Sequence, residues 1–481
     1  MMDFRPVGYV IGLLVAALGA TMLIPFAIDL YDGQGHWRAF LQACIITMLC
    51  GGLIALASSN GVKEGLTIQQ TFLLTTGVWL ALPIFGALPF VLGATGSTFT
   101  DAFFEAMSGL TTTGSTVLSG LEEQPRGLLM WRALLQWLGG IGIIVVAMVF
   151  LPELRVGGMQ IFRSEGFDTM GKILPRATEI SSRISVIYVA LTGLCGVAYL
   201  IAGMNGFDAI THAMTTIATG GFANYDASLG AFGPAVEYVA VVFMMLAALP
   251  FVRFVQLLAG SARPLLVDSQ IRVFFLTAIA LVVLVALWRW SQTDAIEEPF
   301  RKVLFNVVSI LTGTGYASAD YMAWGSFPVT LFFFIGLIGG CAGSTACSIK
   351  IFRYQLLFAS IASQIKRIHS PHGIFTPRYN GRAVSDDVLS SVMSFFAYFV
   401  VTLGLLAVAL SLTGLDFITS MSGAAAALAN IGPGLGDIIG PAGNFAEINT
   451  VAKWVLIAGM LIGRLEILAV FVIFTAKFWR V

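Results

Sequence analysis

An all-α polytopic membrane protein is the fold class this sequence predicts: two N-terminal transmembrane helices followed by four pseudo-symmetric repeats of helix, re-entrant loop and helix. Three observations predict it. Hydrophobic residues fill 57% of the 481 positions and charged residues only 11%, where a soluble domain carries nearer a quarter charged. Apolar windows of about 20 residues, long enough to cross a bilayer, recur along the chain. Between some of them lie shorter apolar stretches of about 12 residues, too short to span, each running into a glycine-bearing turn.

The elements follow in order. The first window, 8–30, is too long for a signal-peptide core and lacks a convincing cleavage site, so it reads as a membrane helix. With the window at 38–58 it forms a leading unit, 1–66. Further windows fall at 71–93, 129–152, 184–204, 234–258, 272–291, 326–353, 388–413 and 451–478. The short stretches are 102–113, 209–219, 303–314 and 417–430; at about 1.5 Å per residue none crosses a core of about 30 Å. The repeats are therefore 67–180, 181–268, 269–380 and 381–481. With ten spans and the N-terminus inside, 18 of the 26 Lys and Arg lie on the cytoplasmic side and seven outside, with Arg464 left in the membrane. Formal net charge is zero, which gives no basic excess for nucleic acid. Five cysteines in or beside apolar stretches, without framework spacing, argue against a disulfide scaffold.

The turns read Thr111-Thr112-Thr113-Gly114-Ser115, Ala218-Thr219-Gly220-Gly221-Phe222, Thr312-Gly313-Thr314-Gly315-Tyr316 and Asn430-Ile431-Gly432-Pro433-Gly434. Aligned on Gly114, Gly220, Gly315 and Gly432 they stand 106, 95 and 117 residues apart, an internal repeat. The charge bias places all four on the external side. An alkali cation must exchange its hydration shell for other oxygens, and rings of backbone carbonyls can supply them. Glycine turns a C=O inward without a side-chain penalty, and threonine adds a hydroxyl. Each short helix ends at its turn, so its partial negative charge faces the cation. A lone Thr-Gly step is otherwise a packing or kink site; four on one face make helix–pore loop–helix repeats around one central pore. Asp101, Asp208 and Asp416 open three short helices, where acids cap and complement the dipole. With Glu105, Glu122, Glu123, Glu297 and Glu298 they are also candidates to concentrate cations at the outer mouth, although Lys302 takes the corresponding place in the third repeat.

The strings SGLTTTGST (108–116), IATGGF (217–222), LTGTGYAS (311–318) and ANIGPGLG (429–436) resemble the Trk/Ktr/HKT superfamily of potassium transporters. The two additional N-terminal helices and the length resemble its TrkH-type membrane subunits, over nearly the whole chain. The resemblance implies potassium uptake across the bacterial inner (plasma) membrane, with both termini cytoplasmic. It implies a filter of Thr112, Thr113, Gly114, Thr219, Gly220, Gly221, Gly313, Thr314, Gly315, Asn430, Ile431 and Gly432, with potassium at Thr113, Thr219, Thr314 and Ile431. It also implies a homodimer in membrane lipid, and a cytosolic TrkA-like nucleotide-binding regulatory subunit docked on the loops 153–183 and 354–387. Potassium is the substrate and no cofactor is expected on this chain.

Two further features fit. Small residues run from Gly339 and Gly340 through Gly343, Ser344 and Thr345 to Ser348, in mid-membrane. Glycine costs a helix about 1 kcal/mol relative to alanine, and irregular backbone at that depth must lie against protein or a water-filled cavity. The resemblance makes this an intramembrane gating loop; close helix packing is the alternative. Its Ala346-Cys347-Ser348 departs from glycine-richer versions. Arg464 lies midway along the last span, where a charge must face a cavity or a partner. The resemblance places it below the filter beside that loop; an ion pair with another helix is the alternative. His369 and His372 lack further ligands nearby. No Walker A motif, dinucleotide fingerprint or catalytic triad is found, so the chain does not read as an enzyme. The competing readings are a proton- or sodium-coupled symporter, for which Glu466 is the one candidate coupling acid, and the potassium-binding subunit of an ATPase-driven pump.

Overall fold

The computed structural model describes residues 2–61, 66–93, 95–149, 159, 177–293, 295–465 and 467–480. The chain is all-helical and polytopic. Among the described residues the single sheet is a hairpin of Arg378–Tyr379 against Arg382–Ala383. Seven helices among the described residues are long and apolar enough to cross a membrane: Arg5–Tyr31, Trp37–Gly61, Ile68–Leu92, Arg126–Val146, Ser181–Ile201, Ser269–Trp290 and Asp386–Ser411. Each coincides with an expected window. Their outer faces carry exposed apolar side chains such as Leu53, Val186, Leu276 and Val400, as a lipid-facing surface requires.

The remaining three windows are broken, where only 326–353 was expected to be. The window at 234–258 consists of Pro234–Ala247 and Phe251–Leu258, bent by 88°. Pro250, in the break, has no N–H to continue the helical ladder. The window at 326–353 stops being helical after Leu337 and resumes at Ile351. The last window is helical over Thr450–Arg464 and again over Ile467–Ile473, with Leu465 extended between them.

The first two breaks answer each other. Ala248 O accepts from Cys341 N at 3.0 Å, and Ala247 O accepts from the Thr345 hydroxyl at 3.0 Å. In return Phe251 N donates to Gly343 O at 3.0 Å. Gln270 Oε1, from the Ser269–Trp290 helix, takes Ala342 N at 2.9 Å. Non-helical backbone at membrane depth is thereby satisfied inside protein.

The four short apolar stretches are helices, Phe99–Leu110, Gly206–Ile217, Glu297–Leu311 and Phe417–Ala429. The first two are capped by Thr98 and Asn205, which accept from the N–H of Asp101 and Asp208; those acids sit three residues inside, and only Asp416 is itself a cap. The segment 354–387, expected as a loop, is helical up to His369, extending the Ile351–His369 helix beyond its apolar part. Most of the other expected docking loop, 153–183, lies outside the described residues.

The leading pair of helices meets at small residues, as helices in lipid do. A Cβ on Gly51 would lie 2.4 Å from Ala16 N, and one on Gly12 2.5 Å from Ala55 N. Asp29, beside the turn that joins this pair, accepts Gly127 N at 2.6 Å and contacts His36 Nδ1 at 3.0 Å, fastening the unit to the Arg126–Val149 helix. Gly51→Leu should therefore force the pair apart and cost about 1–3 kcal/mol. The measurement is thermal unfolding in detergent, where Leu53→Ala, on an exposed position, should change little.

Candidate functional site

Each short helix ends in the same backbone motif. In the first, Thr112 N donates to Gly109 O at 2.9 Å and Thr113 N to Ser108 O at 2.8 Å. The pairs Thr219→Thr216 with Gly220→Thr215, Gly313→Ile310 with Thr314→Ser309, and Asn430→Ala427 with Ile431→Ala426 repeat it within 3.3 Å. This is a Schellman ending, which needs a left-handed residue just past the helix. Thr112, Thr219, Gly313 and Asn430 occupy it, with φ of 51°, 48°, 72° and 51°. Threonine is strained there, at about 1–3 kcal/mol, and holds only because its surroundings leave no alternative.

Two residues on, a second left-handed position falls on Gly114, Gly221, Gly315 and Gly432, at φ of 88°, 78°, 81° and 101°. These glycines close a ring. A Cβ on Gly114 would lie 2.2 Å from Gly220 O, on Gly221 2.0 Å from Thr314 O, on Gly315 1.8 Å from Ile431 O, and on Gly432 2.8 Å from Thr113 O. Every expected filter residue is thus brought to one place, in three levels of four. The expected alignment is corrected by one residue in the second turn: Gly221, not Gly220, is the counterpart of Gly114. The carbonyl ring is accordingly Thr113, Gly220, Thr314 and Ile431, and Thr219 belongs one level below. A cavity of about 170 Å³ opens above, lined among others by Gly114, Gly221, Gly315 and Gly432.

The hydroxyls of Thr113 and Thr314 are hydrogen-bonded within their own turns. The Thr111 hydroxyl donates to Met107 O at 2.7 Å, so the Thr113 hydroxyl, 2.7 Å from it, donates to Thr111. Thr312 and Thr314 repeat the arrangement through Val308 O. Asn430 Nδ2 donates across to Thr113 Oγ1 at 2.9 Å, joining the fourth turn to the first.

Side chains invisible to motif reading brace the ring from behind. Gln136 brackets the second turn, donating from Nε2 to Gly220 O at 2.6 Å and accepting Phe222 N at 3.0 Å. Arg132 is 1% exposed and Glu105 is fully buried. Their ion pair at 2.8 Å ties the first turn to the second, since Arg132 Nη1 also donates to Ala223 O at 2.7 Å and its guanidinium lies over the Phe222 ring. Glu105 is therefore not an outer-mouth acid. Asp101 is likewise engaged, by Lys453 at 2.6 Å. Asp208 is buried and held by Asn224 and Tyr225. Burial, and then this bond to Asp208, push Tyr225 up to about 12, so it remains a donor. Glu122, Glu123, Glu297 and Glu298 are exposed. Lys302 bridges Glu237 and Ser318 O, both at 2.8 Å.

Beneath the ring lies the segment from Gly339 to Ser348, of irregular backbone and buried apart from a half-exposed Ser348. Ser344 Oγ donates to Cys341 O at 2.6 Å, and Gly340 O accepts Ile351 N at 3.2 Å. Cys347 touches the turns: its Sγ is 3.6 Å from the Thr112 hydroxyl, and a Cβ on Gly313 would meet its Cβ at 3.1 Å. Arg464 reaches the same atom, with Nη1 2.8 Å from Cys347 Sγ and Nη2 3.4 Å from Gly139 O. It has no carboxylate partner among the described residues, and Glu466 lies outside them. A cavity of about 60 Å³ below is lined by Cys347, Asn430 and Arg464 among others. Among the described residues no His, Cys and acid group could hold a metal ion.

Arg132→Met should strand the buried Glu105 carboxylate and destabilise the protein by about 3–5 kcal/mol. The check is the melting temperature in detergent. Adding Glu105→Gln to that variant should recover part of the loss.

Comparison with known proteins agrees with this fold. A family model described as TrkH, cation transport protein, matches residues 36–481. The Trk system potassium uptake protein TrkI of Halomonas elongata is 43% identical over 479 residues, covering 99% of this chain and 97% of that one. The Trk system potassium uptake protein TrkH of Escherichia coli K12 is 37% identical over 486 residues, covering both chains completely. The crystal structure of the potassium transporter TrkH from Vibrio parahaemolyticus superposes with a TM-score of 0.92 at 35% identity over the full length of both. The chain therefore belongs to the TrkH family of cation transport proteins.

Proposed function

We propose that this chain takes up potassium ions across the bacterial inner membrane, through the ring of four turns, down the ion's electrochemical gradient. The observation that carries the reading is the closure of that ring. The carbonyls of Thr113, Gly220, Thr314 and Ile431 each stand against the glycine of an adjoining turn, at the C-terminal ends of four buried helices. Main-chain oxygens in this arrangement replace a cation's water, and the helix ends favour positive charge. The relatives are named as potassium uptake proteins, which is the reason for choosing potassium among the cations.

On this reading the units 67–180, 181–268, 269–380 and 381–481 each contribute one turn after the leading unit 1–66. The three levels of the turns form the filter. The segment through Gly339, Gly340, Gly343, Ser344 and Thr345 is the gate, with Arg464 as its electrostatic barrier. The termini are cytoplasmic, and the protein works as a homodimer with a cytosolic TrkA-like nucleotide-binding subunit, docked where the Ile351–His369 helix and the 378–383 hairpin project.

The test is uptake of potassium and sodium by proteoliposomes containing the purified chain. Potassium-selective entry without a proton or sodium gradient is expected. A requirement for either gradient would move the reading to coupled symport, and no entry even with partner and nucleotide would remove the ring as the pathway. Gly221→Ala and Gly315→Asp should abolish selective flux, because each places side-chain atoms on a backbone carbonyl. Arg464→Ala should raise potassium flux several-fold; unchanged flux and unchanged regulation would take Arg464 out of the gate.

A further inference from the structure

Above the ring the backbone leaves the axis in irregular conformation, and its N–H groups have no ladder to join. Four residues past each ring carbonyl, one of these N–H groups is caught by a side chain of the short helix that precedes it. Val117 N donates to Glu105 Oε2 at 3.0 Å, Asn224 N to His212 Nε2 at 3.3 Å, Ser318 N to Asn306 Oδ1 at 3.2 Å, and Leu435 N to Ser422 Oγ at 2.8 Å. Glu105, His212 and Asn306 stand at the same register, eight residues before the ring carbonyl. In the fourth turn that position is Gly423, and the neighbouring Ser422 takes its place. All four acceptors are buried.

Three different side chains at one register make the same bond, and a fourth is recruited where the register holds glycine. Each ring carbonyl is therefore held from two sides: below by the Schellman bond of its own N–H, above by this clamp. We propose that Glu105, His212, Asn306 and Ser422 are positioning residues that set ion selectivity, by fixing the spacing of the carbonyls of Thr113, Gly220, Thr314 and Ile431. The inference rests on the reading of the ring as the filter. A ring of carbonyl dipoles discriminates between cations by oxygen spacing and field strength, so slack in one quadrant lowers discrimination more than throughput.

His212 gives the sharpest test. Asn224 N–H can only donate, so His212 Nε2 accepts, and Nδ1 carries the proton to Asp208 O at 2.8 Å. Asn306 makes the same bond with an amide oxygen, which shows that asparagine reaches from this register. The full chain in liposomes, studied by reversal potentials between potassium and sodium, supplies the main readout. His212→Ala should lower the potassium-to-sodium permeability ratio by about tenfold, the value of one buried hydrogen bond, with potassium conductance far less affected. His212→Asn should restore most of the ratio. A second readout needs no conduction: the extra thermal stabilisation by potassium over sodium should disappear in His212→Ala and return in His212→Asn. If His212→Ala does not assemble, Asn306→Ala and Ser422→Ala carry the same expectation. Parent-like selectivity and parent-like potassium stabilisation in the alanine variants, or an asparagine variant no better than alanine, would overturn the assignment. A parent chain that neither conducts nor is stabilised by potassium over sodium would instead overturn the filter reading itself.

Discussion

Backbone that leaves helical geometry inside a membrane must find a partner for every N–H and C=O it frees, and the architecture of this protein follows from that constraint. The four short helices end in Schellman motifs, which satisfy the last carbonyls while turning the chain sharply. That turn carries the next carbonyl to the glycine of the adjoining turn, and the glycine lets the two approach to backbone contact. The long helices supply what the turns cannot, through Gln136, Arg132 and the bonds that join the first two of the three broken spans. The ring is thus the meeting point of four helix endings, each completed by groups outside itself.

Much of this was legible in the sequence because it depends on periods and lengths. Apolar windows locate all seven continuous spans, and sub-span stretches ending in Thr/Gly turns locate the four short helices. What was illegible depends on neighbours remote in sequence. Gly220-Gly221 offers two glycines for one left-handed position, and the choice is made by Thr314 O lying against Gly221 and Gln136 against Gly220. Glu105 and Asp101 look like mouth acids until Arg132 and Lys453, from other helices, are seen beside them. Pro250 marks a possible break, but an 88° bend also needs the 338–350 segment to receive the freed carbonyls.

Four-fold organisation here is a property of the backbone and not of the side chains. The Schellman bonds, the left-handed pairs and the ring contacts repeat in all four turns, whereas the groups behind them differ at every turn. The first carries a buried ion pair, the second a histidine and a bracketing glutamine, the third an amide beside Lys302, the fourth a serine. A single chain can tune its quadrants separately in a way that a homotetramer cannot.

The bond exchange between residues 247–251 and 341–345 has a mechanical consequence. Cys341 and Thr345 are held by the carbonyls that end the Pro234–Ala247 helix, while Phe251, at the start of the second half of that span, holds Gly343. The bend and the irregular segment under the ring are therefore one hydrogen-bonded unit that meets at Pro250. A tilt of Phe251–Leu258 pulls on Gly343 through this bond, so a force applied at that helix reaches the backbone beneath the ring of turns without crossing the ring itself.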